Sequence, residues 1–307
     1  MIFPNDRRFA FTILDDTDDS TLENVKPVYD CLRRHGLRTT KTVWAMDCPE
    51  GSRLFFAADT LRRKEYLSFV HELAQDGFEI AFHGATMESS VRSRTLQALE
   101  FIKEEFGAYP KISCNHAFNR ENLYWGRDRF QTWWIRGIIG ILMKQGGDHY
   151  AGHRPESEFF WGDLSAAHVR YVRNLTFSSL NMLDVNPEMP YRRADTPYVN
   201  RWFSTADAPD VSAFVRLLTS ERLGALQRAG GACILSTHLG KGFVRNGVLD
   251  PRVEDIIGQL GERPGWYAPA AELLDYLAQA RGTEECLSVW KTWKLEMRYL
   301  FDKLRSF

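Results

Sequence analysis

Four aspartates crowd into five positions of one short stretch, FTILDDTDDSTL at 11–22, directly after an apolar run. They are Asp15, Asp16, Asp18 and Asp19. Carboxylates this close repel one another and raise each other's pKa values, so a positive charge is expected beside them. A metal ion would supply that charge, and so would the N-terminus of a helix that begins in a solvated loop. The stretch therefore allows two interpretations, a metal site or a helix start.

Histidines stand at the ends of three other predicted strands. GFEIAF is followed by His83, KISCN by His116 and ACILST by His238, while the first strand ends in Asp15 and Asp16. The carboxyl ends of parallel strands meet on one rim, which is where barrel enzymes place their catalytic groups. Carboxylates and imidazoles gathered on one rim indicate an active site.

The elements that would carry these residues alternate along the first half of the chain. The predicted strands RFAFTIL, TTKTVWAM, FEIAF and KISCN alternate with amphipathic helices that end in glycine. Such alternation is typical of βαβ units that build a parallel sheet or barrel. The pattern returns near the end, where ACILST reads as a strand and APAAELLDYLAQARG as a helix. We therefore expect an α/β fold without a clear domain boundary.

The section at about 117–210 is less regular and contains the longest apolar stretch, WWIRGIIGILM at 133–143. A helix that crosses a bilayer needs about 20 apolar residues, so no transmembrane segment is predicted. The stretch is either a buried helix or a surface that contacts lipid or a lipid-linked substrate. Residues 284–307 form a last helix with one apolar stripe. That stripe either packs on its own domain or provides the contact surface of a homodimer.

The amino-acid composition indicates which kinds of partner the protein binds and in which cell compartment it functions. The 307 residues carry a net charge of −1 at pH 7, so no overall field attracts nucleic acid. The five cysteines are scattered and no CxxC occurs, so neither a disulfide framework nor a zinc ribbon is indicated. These features predict a protein of the reducing cytoplasm.

Several motifs, in order, resemble a known family. FTILDDTDD resembles the TFDDG motif of NodB-type polysaccharide deacetylases (carbohydrate esterase family 4), and GFEIAFHG resembles their GHEIGxH segment. ILSTHL is similar to the late strand that ends in histidine, and WYAPAAELLDYL to the segment that closes the domain. The resemblance runs from about 8 to 280. It implies a distorted (β/α) barrel over 1–282, with an inserted middle section at about 117–210 and a C-terminal amphipathic helix at 283–307.

The resemblance also implies roles for individual residues. Asp15 matches the catalytic base, and His238 matches the histidine that protonates the leaving amine. Asp16 and His83 match metal ligands. The implied reaction is the hydrolysis of a C–N bond, most simply the removal of an acyl group from an N-acylated amino sugar. The implied cofactor is a divalent metal ion, Zn²⁺ in the first place, which polarises the carbonyl and lowers the pKa of water.

The sequence departs from the family at one metal ligand. The family pattern HxxxH requires a histidine where Met87 stands. Catalytic zinc sites normally have three protein ligands, so a replacement is needed. His116 is the first candidate, and Glu88 or Asp18 are others. If none of them serves, the metal site is lost or altered, and the protein is a carbohydrate-binding pseudoenzyme.

Two stretches are rich in polar and aromatic residues and are candidate substrate-binding segments: NHAFNRENLYWG at 115–126 and YRRADTPYVNRWF at 191–203. Amide, arginine and aromatic side chains suit hydroxyl recognition and stacking on sugar rings. A helix start capped by Asn119, structural ion pairs and core packing would explain the same residues. The candidates are Asn119, Arg120, Asn122, Trp125, Arg193, Asp195 and Trp202.

One alternative chemistry remains from the aspartates alone. Asp16-Thr17-Asp18 resembles the nucleophile loop of haloacid-dehalogenase-type phosphatases, in which the first aspartate attacks phosphorus. That interpretation gives His83 and His238 no role, and GDLSAAH at 162–168 lacks the acid it needs. For the hydrolase, a cytoplasmic location favours a sugar nucleotide, a lipid-linked saccharide or a small metabolite over mature cell-wall polymer.

Overall fold

The structure is a computed structural model that describes residues 2–52, 58–142, 149–282 and 286–306. Met143, the last residue of the predicted apolar helix, and the first residues of the predicted C-terminal segment, 283–285, lie outside the described residues.

Seven parallel strands form a closed barrel. Neighbours along the chain pair in order, and the first strand also pairs with the seventh, from Ala10 opposite Ala232 to Asp15 opposite Thr237. The strands are β1 (Phe9–Asp15), β2 (Thr40–Trp44), β3 (Glu79–Gly84), β4 (Ile112–Ser113), β5 (Tyr171–Phe177), β6 (Trp202–Asp207) and β7 (Ala232–Thr237). The predicted distorted (β/α) barrel is confirmed.

Eleven helices and three short strands are described around this barrel. The helices are α1 (Leu22–Arg34), α2 (Lys64–Gln75), α3 (Arg92–Phe106), α4 (Trp133–Leu142), α5 (Gly162–His168), α6 (Met182–Val185), α7 (Val211–Leu217), α8 (Ser220–Ala229), α9 (Pro251–Glu262), α10 (Ala270–Arg281) and α11 (Val289–Ser306). β8 (Val244–Arg245) and β9 (Val248–Leu249) form a hairpin, and β10 (Gly265–Trp266) pairs with the start of β1.

The loop after β1 is tied to the helix that follows it and to the loop after β7. Thr21 caps α1, since its hydroxyl accepts from the Asn24 backbone N–H while the Asn24 side chain accepts from Thr21 N–H. The Asn24 amide also donates to the carbonyls of Asp19 and Gly240. A Cβ at Gly240 would lie 2.5 Å from the Asp19 carbonyl oxygen, so glycine is required where these two loops meet.

The middle section is part of the barrel as well as a source of extra loops. Strands β5 and β6 both come from the section at about 117–210, which the sequence presented as an insertion. The signal of β5 was obscured because Arg173 and Asn174 interrupt an otherwise apolar run and are nevertheless buried. A buried parallel strand normally reads as continuously apolar.

The last helix, α11, packs on its own domain. Tyr299 lies between the rings of Phe130 and Phe177, at centroid distances of 5.7 and 5.9 Å. The Glu296 carboxylate accepts from the backbone N–H groups of Gln131 and Thr132, just before α4. Homodimerisation through α11 stays a prediction. Among the described residues, no helix has the length and apolar character needed to cross a membrane.

Candidate functional site

Asp15 ends β1 with its carboxylate completely buried. Oδ2 accepts from the Lys41 ammonium and the Tyr29 hydroxyl, each at 2.9 Å, and Oδ1 accepts from the Leu239 backbone N–H at 2.9 Å. Lys41 is itself fully buried. This carboxylate therefore lies behind the rim, where it joins β1 to β2 and holds the loop that carries His238.

Asp16 lies on the other side of the strand end and faces a different cation. Its Oδ2 accepts from the Arg173 guanidinium at 2.5 Å and the Ser236 hydroxyl at 3.1 Å. Its Oδ1 is buried without a hydrogen-bond partner, 3.8 Å from His83 Nδ1. One oxygen is thus held firmly, and the other is left to interact with something else.

Asp18 lies among all three histidines predicted from the strand ends. Its Oδ1 is 3.3 Å from His83 Nε2 and 3.6 Å from His116 Nε2, and its Oδ2 is 3.2 Å from His238 Nε2. The Lys241 ammonium is 4.0 Å from Oδ2. The structure therefore brings the predicted residues His83, His116 and His238 together, with Asp18 as the carboxylate at their centre.

The neighbouring charges shift the pKa values of Asp16, Asp18 and His238. Burial would raise the pKa of Asp18, but contacts with His238 and His83 outweigh it and hold that pKa well below its usual range. Burial would likewise raise the pKa of Asp16, yet Arg173 keeps it lowered. Burial would lower the pKa of His238, but Asp18 and Asp16 raise it, so this imidazole holds its proton more tightly than a free one.

The histidines differ in how their second ring nitrogens are used. His238 Nδ1 is 2.8 Å from the Pro209 carbonyl, to which it donates, so its Nε2 points at Asp18. His116 Nδ1 is 3.2 Å from the Asn119 side-chain oxygen. Both ring nitrogens of His83 are buried without a hydrogen-bond partner. Burial lowers the pKa of His116 despite the nearby Asp18, which favours the neutral imidazole that metal ions bind.

A divalent metal ion fits the chemistry of this group. As the side chains stand, no three His, Cys, Asp or Glu residues among those described have the geometry of a formed metal site. The unpartnered nitrogens of His83 nevertheless need a partner, since buried polar atoms are rarely left unsatisfied. The separations of Asp18 Oδ1 from the two nitrogens are 3.3 and 3.6 Å. Neighbouring ligands of a tetrahedral Zn²⁺ lie about 3.3–3.5 Å apart, so a small adjustment would bring these atoms to that spacing.

The candidate substrate residues of 115–126 differ in exposure. Arg120 is exposed and its guanidinium lies over the Phe159 ring, while Trp125 is half-buried beneath the Arg129 guanidinium. Asn119 and Asn122 are buried; Asn119 donates to the Thr86 carbonyl in the segment after β3, and Asn122 donates to the His116 carbonyl of its own loop. Arg120 and Trp125 stay predictions as contacts to substrate, whereas the two asparagines have structural partners.

The candidates of 191–203 are occupied by contacts within the protein. Arg193 is buried and pairs with Asp195 through two nitrogens, at 3.0 and 2.5 Å. Trp202 is 1% exposed, and its indole N–H donates to the Thr196 hydroxyl. The position of Trp202 in the core does not suit stacking on a saccharide, because the ring has no free face.

Several solved structures share the fold of this chain, although their sequences differ widely from it. No protein-family model matches the sequence, and no curated protein matches it either. A Mycobacterium smegmatis protein assigned as a polysaccharide deacetylase superposes with a TM-score of 0.55 at 13% identity, over 94% of this chain and 96% of its own. A second, from Pseudomonas aeruginosa PAO1, gives 0.53 at 12% identity, over 92% and 95%.

The chain has the fold of the polysaccharide deacetylases. Puue allantoinase shares that fold, with a TM-score of 0.52 at 11% identity, over 92% of this chain and 94% of its own. The resemblance inferred from the motifs is confirmed at the level of the fold. The phosphatase interpretation finds no support in the fold, which is that of the polysaccharide deacetylases.

Met87 marks where this deacetylase fold departs from the family pattern. Its side chain is 2% exposed and packs with Trp44 and Ala58. The Trp44 ring in turn lies 4.7 Å from the His83 ring and 5.0 Å from the His116 ring. Glu88, another candidate replacement, accepts from the Ser52 hydroxyl at 2.6 Å. His116 and Asp18 are the candidates that reach His83.

Sequence reasoning missed the cations that hold the two strand-end aspartates. Lys41 lies in the strand TKTVW and Arg173 in the strand YVRNLTF, and both are buried in the barrel. A lone basic residue inside a predicted buried strand is itself a signal, since a buried charge needs an opposite partner. By that reasoning, Lys41 and Arg173 each required a buried acid, and the structure pairs them with Asp15 and Asp16.

Proposed function

We propose that this protein is a metal-dependent hydrolase that removes an acyl group from an N-acylated amino sugar or a related amide. The observation that carries the proposal is the Asp18 carboxylate among three imidazoles, beside an Asp16 carboxylate with one free oxygen. The deacetylase fold supports it, because such barrels place their chemistry on this rim. Asp18, His83 and His116 would hold the ion, with zinc as the first candidate.

When bound, the ion would act as a Lewis acid toward the acyl carbonyl and lower the pKa of water. Asp16 rather than Asp15 suits the role of general base, because Asp15 has both oxygens in hydrogen bonds. Arg173 and Ser236 fix Asp16 Oδ2 and keep the carboxylate ionised, so that Oδ1 can accept a proton.

His238 suits the role of general acid. Water adds its oxygen to the acyl carbon, and the proton it loses goes to Asp16. The C–N bond then breaks, and the leaving nitrogen takes a proton from His238 Nε2. The bond from Nδ1 to the Pro209 carbonyl fixes the ring, and the neighbouring carboxylates stabilise its protonated form.

Metal analysis of the purified protein is the first test of this function. We expect near-stoichiometric Zn²⁺ in the wild type, reduced to a small fraction in Asp18→Ala, His83→Ala and His116→Ala. His71→Ala is the matched control, because His71 pairs with Glu105 away from the rim and its loss should leave the metal content unchanged. Treatment with a chelator should abolish hydrolysis of N-acetylated sugars, and added Zn²⁺ should restore it.

A wild type that stays metal-free after addition of Zn²⁺, Co²⁺ or Mn²⁺ would overturn the hydrolase. The carbohydrate-binding pseudoenzyme, with Met87 at a lost ligand position, would then be the better interpretation.

The exposed face of α4 favours a lipid-linked saccharide among the substrate classes. Ile135 is buried, but Trp133, Ile138 and Ile141 are exposed on one face of the helix, Trp133 by 80% and Ile141 by 78%. At the start of this helix the Arg127 and Arg136 guanidinium groups both approach the single Asp128 carboxylate. An apolar face beside excess positive charge suits the surface of an anionic membrane.

Binding to vesicles tests this choice. Wild-type protein should sediment with vesicles of phosphatidylcholine and phosphatidylglycerol, and the double variant Trp133→Ser/Ile141→Ser should bind about tenfold more weakly or worse. Val248→Ser is the control, since Val248 is exposed in the β8–β9 hairpin. Equal binding by all three proteins, or self-association through α4 in place of vesicle binding, would contradict a lipid surface.

A further inference from the structure

We infer that Asn119 and Glu121 are positioning residues that fix the proton of His116 on Nδ1 and so present Nε2 as a metal ligand. The inference rests on the proposed function and explains how His116 can replace the ligand missing at Met87. Asn119, counted above among candidate substrate contacts, thereby receives a different role.

The surroundings of Asn119 determine which way its amide points. Its side-chain nitrogen lies 3.2 Å from the Thr86 carbonyl, 3.1 Å from the Glu88 carbonyl and 3.0 Å from Glu121 Oε1. The two carbonyls can only accept, so a flipped amide would set its own oxygen against both of them. The amide nitrogen must therefore face this group, and the amide oxygen must face His116.

The fixed oxygen in turn selects the tautomer of His116. Asn119 Oδ1 is 3.2 Å from His116 Nδ1, and an amide oxygen only accepts hydrogen bonds. A hydrogen bond between these two atoms therefore requires the proton on Nδ1. The lone pair of the neutral ring is then on Nε2, which lies 3.6 Å from Asp18 Oδ1, beyond hydrogen-bond distance. Histidine ligands of metal ions are commonly oriented by a hydrogen bond from the second nitrogen in this way.

Glu121 anchors the amide from behind. It is 5% exposed, and its second oxygen accepts from the Ser90 backbone N–H at 3.0 Å. The Trp161 indole N–H donates to the Glu121 carbonyl at 2.6 Å, which fixes the backbone of the same residue. Both Asn119 and Glu121 are thus buried and held on several sides, as a positioning device requires.

The hydrogen-bond relay from Glu121 through Asn119 to His116 lies beside Met87, where the sequence departs from the family pattern. The two carbonyls that Asn119 contacts belong to Thr86 and Glu88, the residues on either side of Met87. The loop after β4 is therefore fastened to the segment after β3 in which the family pattern has its second histidine. His116 is positioned by that segment, although the segment itself supplies no imidazole there.

Two measurements on the full chain test the inference. The first is the ¹⁵N NMR spectrum of the histidine rings in metal-free protein, assigned with His116→Ala, in which His116 should be the Nδ1–H tautomer. The second is the Zn²⁺ dissociation constant from chelator competition. Asn119→Ala should raise that constant by about 10–100-fold and lose the tautomer preference.

Asn122→Ala is the matched control. Asn122 is a buried amide of the same loop, and it donates to the His116 backbone carbonyl rather than to the ring. It should leave the tautomer as in the wild type and change the Zn²⁺ constant less than about threefold. If both variants changed the tautomer and the Zn²⁺ constant equally, the loop as a whole and not the Asn119 contact with the ring would determine them, and the inference would be overturned.

The tautomer separates failure of the inference from failure of the proposed function. An Nε2–H tautomer in the wild type would overturn the inference even if Asn119→Ala does not fold. An Nδ1–H tautomer in a protein that binds no metal would overturn the hydrolase, while the hydrogen-bond relay itself would stand as a feature of the ring's surroundings.

Discussion

Asp16→Asn is expected to lower kcat/KM by about 10²–10⁴-fold on whichever N-acetylated sugar the wild type hydrolyses. The amide keeps the shape of the side chain, but it cannot take a proton from water. Because Asp18 rather than Asp16 is the proposed ligand, Asp16→Asn should retain the Zn²⁺ content of the wild type. Steady-state kinetics and elemental analysis of the same preparation measure both quantities.

Ser236→Ala provides the matched control for Asp16. It removes one hydrogen bond to Asp16 Oδ2 and the hydrogen bond that the hydroxyl accepts from Arg173, while the direct Arg173–Asp16 contact and the carboxylate remain. We expect a loss of activity below about tenfold, in keeping with one hydrogen bond. If Asp16→Asn loses its metal and Asp18→Ala keeps it, Asp16 is the ligand that the family resemblance implied, and our exchange of roles is wrong.

The second large effect concerns stability. Asp15→Asn or Lys41→Met should each lower the free energy of unfolding by about 3–5 kcal/mol, because each leaves one fully buried charge without its partner. The double variant Asp15→Asn/Lys41→Met should recover a large part of that loss, since neither charge then remains. Urea unfolding followed by circular dichroism gives the three values and the interaction energy of the pair.

The Lys26–Asp30 pair on α1 is the control for the buried pair. Its atoms are 2.7 Å apart, but both side chains are more than two-fifths exposed, so Asp30→Asn should produce little measurable change. A Lys41→Met protein as stable as the wild type would show that Asp15 does not depend on this cation. The position of Asp15 behind the rim would then need another explanation.

The barrel could be predicted from the sequence because its first four strands and its last one are apolar runs between glycine-closed helices. β5 was missed for the opposite reason, since Arg173 makes a buried strand resemble a polar segment. The rim histidines were found because each stands at or shortly after the carboxyl end of a strand, and strand direction alone then places them together.

The assignment of individual aspartates could not be predicted in the same way. Asp15, Asp16 and Asp18 lie within four positions of one another, but their carboxylates have different partners. Asp15 pairs with Lys41, Asp16 with Arg173, and Asp18 with the three histidines. Those partners come from β2, β5 and the ends of β3, β4 and β7, so only the folded barrel distinguishes them. The choice of a tautomer at His116 depends on loop contacts that no spacing rule encodes.

The pairing of β1 with β7 has a consequence for when the site can exist during folding. The Asp15 carboxylate bonds to the Leu239 N–H across 224 residues of chain, and Asp18 meets His238 at the same junction. Contacts this distant in sequence carry a large entropic cost of loop closure and form late in folding. On the ribosome, the first strand must wait for nearly the whole barrel to be synthesised before it gains its second neighbour. Acquisition of metal or activity should therefore report the closure of the barrel, and a nascent chain that ends before β7 should have neither.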